Sequence, residues 1–427
     1  ANFYLNGGYV YDGRYLLDVN LRSDGTSVFG ANKRFSTTWS VGLAWNVHRE
    51  KFMKDKASFI NVLKLRGSVG NPGNQNFSSY SAITTYYFNN WMLNNFGTGV
   101  LVSKFGDPNL AWQRTLDKNI GINLSMFSNR FHVTVDFYHK RTDPLIADIG
   151  IPVSMGVEKR RTNIGVQVDK GVNGTIRYAI LYKPQESINY TMSVNFRYGT
   201  AFYKNIGRSL NAYNQENISK NLTRYYDGGS PTALWAVRSR GIDPATGQEI
   251  FVKKDGTLTY TFDYKDEVEV GDSRPTLEGV WGNTFYYKGW SASLQLRYSF
   301  GADVFNSTLF NKVENISSRS ITTNQDRRAL YNRWKKPGDK AKFKSISLTE
   351  STPMSSRFVM KENYLSIESV RLGYQFDSKW LKKALRISSL NINMYMNSIA
   401  RFSTLEDERG LYYPFARSIS FSLGAIL

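Results

Sequence analysis

The stretch GWSASLQLRYSF, residues 289–300, decides how the rest of the chain is read. Trp290, Ala292, Leu294, Leu296, Tyr298 and Phe300 alternate with Ser291, Ser293, Gln295, Arg297 and Ser299. Successive side chains of a strand leave the pleat on opposite sides, so one face is apolar and the other polar. The same device recurs at residues 187–198, where Ile188, Tyr190, Met192, Val194, Phe196 and Tyr198 interleave with Ser187, Asn189, Thr191, Ser193, Asn195 and Arg197. It recurs at 36–47, with Thr37, Trp39, Val41, Leu43, Trp45 and Val47 in one phase. Further alternating runs start near Asn2, Arg14, Asn61, Asp117, Arg130, Val172, Gly279, Leu365, Ile387 and Arg417. Together they make about thirteen candidate strands of roughly 9–12 residues, the length that carries a tilted strand across a bilayer.

A soluble β-sandwich edge alternates in the same way, so the connections must discriminate. They alternate between short and long. Asp12-Gly13, residues 128–130, 183–186 and Lys288-Gly289 are tight turns, whereas residues 71–116, 141–171, 200–278 and 301–364 are long. A sandwich has no reason to gather its long connections on one side, but an outer-membrane barrel has short periplasmic turns and long external loops. The fold expected is therefore all-β, a transmembrane antiparallel β-barrel whose apolar phase meets lipid. Asp18, Asn20, Arg22, Asn195, Arg197, Gln295 and Arg297, in the polar phase, are expected to line the lumen. A single-chain barrel closes on an even number of strands, because unpaired backbone in hydrocarbon costs several kcal/mol per group. Thirteen strands, with the last ending at the periplasmic side, make residues 2–11 a descending strand. Residues 1–427 are thus expected to begin mid-barrel, as a fragment or as one piece of a two-piece protein.

Composition narrows the function classes. The 427 residues include no cysteine, which removes thiol chemistry and cysteine metal sites. Of three histidines, His132 and His139 fall in opposite phases of one strand, which argues against a histidine metal site or general base. No stretch approaches the roughly 18 apolar residues of a membrane helix. The 55 Lys and Arg exceed the 35 Asp and Glu, giving a net charge of +20, but the charge is dispersed and no nucleic-acid-binding motif accompanies it. Gly67, Gly70 and Gly73 of GSVGNPGNQ lack the lysine and helix of a phosphate loop and read as tight turns. Asp107 and Asp243 sit in turn sequences without the acidic spacing of a calcium loop. No nucleophile, base and orienting group occur in a recognisable motif, so neither an enzyme nor a cofactor is expected.

Several loop motifs resemble the SusC-like (SusC/RagA) family of TonB-dependent outer-membrane transporters of Bacteroidota. They are RSDGTSVFGANKRF (22–35), LKLRGSVGNPGNQ (63–75), DPNLAWQRTLDKNIGINL (107–124), VDFYHKRTDPLI (135–146), NIGVQVDKGV (163–172), RGIDPATGQEIF (240–251) and YLSIESVRLGYQF (364–376). They follow the family's order over nearly the whole chain. The terminal Leu427 departs from the aromatic residue on which the family usually ends. The resemblance implies a barrel of about 22 strands with a plugged lumen, of which residues 1–427 are the C-terminal portion, roughly the last thirteen strands. It implies active import of oligosaccharides or oligopeptides, a SusD-like surface lipoprotein as lid, and energy from the TonB-ExbB-ExbD complex through a plug that lies outside these residues. It also implies contact with outer-membrane lipid and lipopolysaccharide. Tyr86, Tyr87 and Trp91 in ITTYYFNNWML, and Tyr225 and Tyr226 in TRYYDGG, are candidate ligand contacts, because flat rings with polar tips suit sugar faces and protein lids. The alternatives are a siderophore or cobalamin receptor on the same barrel, and a soluble β-sandwich binding module or adhesin.

Overall fold

The computed structural model describes residues 2–25, 35–54, 58–74, 83–94, 97–316, 318, 322–347, 350–378, 380, 382–383, 386–406 and 416–426, with backbone alone for 54, 73–74, 89–94 and 153. Thirteen strands form the wall: β1 (Asn2–Tyr11), β2 (Tyr15–Gly25), β3 (Phe35–Asn46), β4 (Ile60–Gly70), β5 (Gln113–Met126), β6 (Phe131–Thr142) and β7 (Val166–Lys183). β8 (Ile188–Lys204), β9 (Leu277–Tyr287), β10 (Trp290–Phe305), β11 (Val359–Phe376), β12 (Ser389–Ser403) and β13 (Ile419–Ile426) complete it. Each pairs antiparallel with its neighbours in chain order, and the two-residue strand Gly73–Asn74 adds to the rim of β5. Every alternating run in the sequence is a wall strand.

Register fixes the two faces, since residues directly opposite each other share a side. One row across the apolar face runs Leu124, Val133, Ile176, Val194, Trp281, Leu296, Ile367 and Ala400. Its members and their neighbours are open to the surroundings: Ile120 is 67% exposed, Leu43 60% and Phe421 73%. A water-soluble surface rarely carries apolar patches of this extent, so the face is built for hydrocarbon. At the short-turn end the same face ends in rings. Tyr15 stacks with Tyr11 and Trp45, Phe131 meets Tyr178, and Trp290 meets Tyr374 at 4.7 Å. Such a girdle marks a membrane–water boundary. Asn283 is a polar intruder on this face, and its side-chain oxygen accepts the hydroxyl of Tyr190 at 2.9 Å.

The turns are those the sequence demands. Asp12 and Gly13 both have positive φ, as do Lys288 and Gly289, the conformation of tight two-residue hairpins. Several strands, however, run longer than their alternation suggests: β7 and β11 have 18 residues, β8 has 17 and β10 has 16. Beyond the bilayer the backbone ladder continues while the demand for an apolar face stops, so pairing outlasts the pattern. The long connections 143–165 and 205–276 are correspondingly shorter than read from sequence, and they hold structure of their own. Leu145–Gly150 pairs with Lys159–Ile164, and a four-stranded sheet orders Leu258–Thr259, Glu249–Val252, Ala233–Ile242 and Glu267–Asp272. In the connection 306–358, Val313, Phe343 and Phe358 form a buried cluster with Phe305, Leu309 and Phe310 against it.

Candidate functional site

The polar face of the wall concentrates charge in cross-strand pairs. Opposite one another in register lie Arg66, Gly121, Asp136, Asn173, Arg197 and Glu278, contributed by six successive strands. Arg66 Nη2 stands 2.6 Å from Asp136, reaching across the side-chain-free Gly121, where a Cβ would sit 2.5 Å from the Asp136 carboxylate. Arg197 faces Glu278 at 3.6 Å, and Asn195 Oδ1 accepts from Thr175 at 2.8 Å. Arg297 lies 3.4 Å from Glu368, and Lys140 3.2 Å from Asp117. These pairs leave fixed charges and amides lining a recess of about 710 Å³, among them Asp136, Lys140, Asn173, Asn195, Arg197 and Arg297.

Of the polar-phase residues singled out by sequence, the structure brings Asn195, Arg197 and Arg297 into this one recess. Asn20 and Arg22 line a second, of about 400 Å³, with Ser40, Asp117 and Asn119. Asn20 bonds Asn6 and Ser40, and Arg22 pairs with Asp24 at 2.8 Å. Asp18 shares their face, tucked between Gly8 and Gly42, and Gln295 fills the space over Gly282. Sequence reading missed Arg66, Asp117, Asp136, Lys140, Glu278 and Glu368, the partners that organise the recess. For the first five the signal was present, because each falls in the polar phase of a strand, whereas Glu368 sits at a bulge between Ile367 and Ser369 where the alternation changes phase; what was missing was the register that brings them together.

The aromatic candidates divide into two groups that no described contact joins. Tyr86 and Tyr87 are 64% and 47% exposed on a hairpin in which Thr85–Asn94 pairs with Gly97–Lys104. The side chain of Trp91 lies outside the described residues, as do residues 26–34 of the RSDGTSVFGANKRF motif and 407–415 of the last long connection. Tyr225 is packed between Tyr203 and Tyr213, with ring centroids 5.6 and 5.3 Å away, over a recess of about 350 Å³ that also takes in Leu145, Ile164 and Leu210. Tyr226 leans on Trp235 at 4.7 Å. Burial pushes both phenols up from their ordinary range. Asp243, considered for calcium, is committed to a turn: its carboxylate accepts from Ala245 N–H, Thr246 and Tyr260, which holds it below the usual range.

A family model described as TonB dependent receptor-like, beta-barrel, matches residues 1–393. The chain belongs to that family. Among curated relatives, TonB-dependent receptor P39 of Formosa agariphila is 27% identical over 95% of this chain and 43% of its own length. TonB-dependent receptor SusC of Bacteroides thetaiotaomicron is 24% identical over 97% and 42%. Among solved structures, that of the RagAB peptide transporter superposes with a TM-score of 0.83 at 20% identity, covering 95% of this chain and 44% of that one. An 'open-open' state of the RagAB peptide importer gives 0.80 over 99% and 46%. The chain thus spans less than half the length of the relatives it matches, and its wall superposes on part of the larger barrel of RagAB structures. The strands of this receptor cross the outer membrane many times, and its kinship is with receptors and transporters, not enzymes.

Proposed function

We propose that this chain is the C-terminal part of the barrel of a SusC-like importer that takes oligosaccharides or oligopeptides across the outer membrane. The observation that carries the proposal is the open two-faced wall. Among the described residues β1 and β13 do not pair with each other, and β1 is exposed along its whole length, so each edge offers unpaired backbone to further strands. Other polypeptide completes the barrel and supplies the plug that TonB-ExbB-ExbD pulls on. The polar face then lines the lumen. Asp18, Asn20, Arg22, Asn195, Arg197, Gln295 and Arg297 contact the plug or the passing ligand, where charged and amide side chains replace water around a polar solute. A SusD-like lipoprotein covers the long connections, and Tyr86, Tyr87, Trp91, Tyr225 and Tyr226 stack against the ligand or the lid. Kinship with SusC and RagAB proteins supports this reading over other receptor barrels.

The test is uptake by intact cells. Cells carrying the complete receptor should accumulate a labelled oligopeptide or oligosaccharide pool, lose accumulation when the gene is disrupted, and lose it again when an uncoupler collapses the proton-motive force. A surface lipoprotein should co-purify with the receptor in detergent. Uptake that survives the uncoupler and a barrel that purifies without lipoprotein would remove the importer reading.

A further inference from the structure

A further large cavity lies among the long connections, where the polar face of β11 and β12 ends. Met360, Glu362 and Tyr364 succeed one another on that face of β11, with Tyr364 opposite Ser299. Tyr364 belongs to the lining of the polar recess. Arg401 lies 4.0 Å over its ring and 2.7 Å from Glu362. Glu362 and Arg401, with Leu405, line a smaller hollow of about 300 Å³. Met360 and Leu405 then open into a cavity of about 820 Å³, within the range of roughly 300–1,000 Å³ that encloses small ligands. Leu309, Tyr331, Met360 and Leu405 stay partly or wholly exposed around it, and Phe343 and Phe358 are packed behind them. An apolar cavity thus sits at the long-connection end of a polar track.

Most polar groups of this lining are spent on the protein itself. Asn306 Oδ1 accepts the Leu309 N–H at 2.9 Å, and the Thr404 hydroxyl donates to the Lys361 carbonyl and accepts from the Asn363 N–H, both at 2.9 Å. Arg328 is held by Asp326 and Glu406, and Arg357 by Glu249 and Glu314. A sugar presents hydroxyls around its whole ring, and each one taken from water without a partner weakens binding. The cavity offers carbon instead, which favours an apolar side chain. Among the described residues three lining side chains make no hydrogen bond or ion pair: Tyr331, Asn332 and Lys342. They share one rim, because the Lys342 N–H donates to the Asn332 carbonyl at 2.8 Å. An amide both donates and accepts, as a peptide group does, and an ammonium is a point-charge partner for a carboxylate. Amide, ammonium and apolar hollow together match the last residue of a peptide.

We propose that this cavity binds the C-terminal residue of an oligopeptide: a large apolar side chain fills the space bounded by Leu309, Met360 and Leu405, the carboxylate meets Lys342 and the last peptide group meets Asn332. The site rests on the importer reading and narrows its cargo to peptides that end in an apolar residue.

Isothermal titration calorimetry of the complete receptor, in detergent with the chains that accompany it, tests the site with three synthetic peptides: Ala-Ala-Ala-Phe, its C-terminal amide, and Ala-Ala-Ala-Ser. Ala-Ala-Ala-Phe should bind ~10- to 100-fold more tightly than Ala-Ala-Ala-Ser, the gain expected from burying one aromatic side chain. It should bind ~3- to 5-fold more tightly than its amide, the scale of an exposed ion pair. Lys342→Gln should abolish the acid–amide difference and keep the preference for Phe over Ser, a split that a purely structural role for the lysine would not give. Leu405→Trp, which fills the cavity, should remove the preference for Phe; if that variant does not assemble, the Lys342→Gln split decides alone. Maltotetraose should not displace the peptide. Equal affinity of the parent receptor for Phe and Ser peptides or for acid and amide, displacement by maltotetraose, or an acid–amide difference that survives Lys342→Gln would overturn the site. Failure of all three peptides to bind would overturn it too, and leaves the importer reading standing wherever intact cells still show energy-dependent uptake; absence of that uptake overturns the importer reading itself.

Discussion

At the scale of single residues, Glu50 shows how a carboxylate is recruited to the short-turn end of the wall. It follows the short helical turn Val47–Arg49 and accepts from Trp45 Nε1 at 3.0 Å, Tyr15 OH at 2.8 Å and Arg14 Nη1 at 2.9 Å. It thereby ties the girdle rings of β2 and β3 to the turn between β3 and β4. These donors hold its carboxyl below the usual range, the Trp45 bond foremost. A depressed carboxylate contributes stability that is present above the unfolded value, about 4.3, and is lost as pH falls through the lower folded value. Glu50→Gln is therefore expected to lower the melting temperature at neutral pH, with the gap to the parent protein closing as the pH drops below about 4. Thermal unfolding followed by tryptophan fluorescence checks this, and a gap constant with pH would refute it.

At the scale of the strand, neighbouring residues should respond oppositely to the same substitution. Val194 and Ser193 are adjacent in β8, but Val194 lies opposite Trp281 on the apolar face and Ser193 opposite Gly282 on the polar one. An arginine at mid-strand on the lipid face costs about 2–4 kcal/mol. Val194→Arg should destabilise the folded receptor by that amount, whereas Ser193→Arg should cost under about 1 kcal/mol, within the range of surface substitutions. Denaturant titration of the receptor folded into vesicles separates the two. Equal costs would mean that the faces do not meet different solvents.

At the scale of the molecule, two long connections distant in sequence are joined by one partly buried cation. Arg357 Nη2 lies 2.9 Å from Glu249 and 2.7 Å from Glu314, and Ser355 donates to Glu249 at 2.5 Å. Glu249 belongs to the four-stranded sheet and Glu314 to the aromatic cluster, and both are buried. Removing the cation strands two carboxylates, for which the cost is about 3–5 kcal/mol. Arg357→Met should loosen the external assembly by that amount, read as faster proteolysis of residues 205–358, and adding Glu249→Gln and Glu314→Gln should recover part of the loss. If the single variant resists proteolysis as well as the parent protein, the two connections are held together by other contacts.

The strand count, the two faces and the placement of long connections at one end were legible in the sequence, because alternation with period two is a local property written into neighbouring residues. Trp290 and Arg297 declare their sides without reference to anything distant. The pairing of Arg66 with Asp136, the packing of Tyr225 among Tyr203 and Tyr213, and the capture of Glu249 by Arg357 were not legible. Each joins groups far apart along the chain, and the choice between possible partners is made by strand register and loop packing. The upper reaches of β7, β8, β10 and β11 were hidden for a related reason: once a strand leaves hydrocarbon, hydrogen bonding alone sustains it and imposes no pattern on its side chains. The sequence by itself determined that this chain is a wall between oil and water; the tertiary structure decided which charges meet on its polar face and which remain unpaired at its rim.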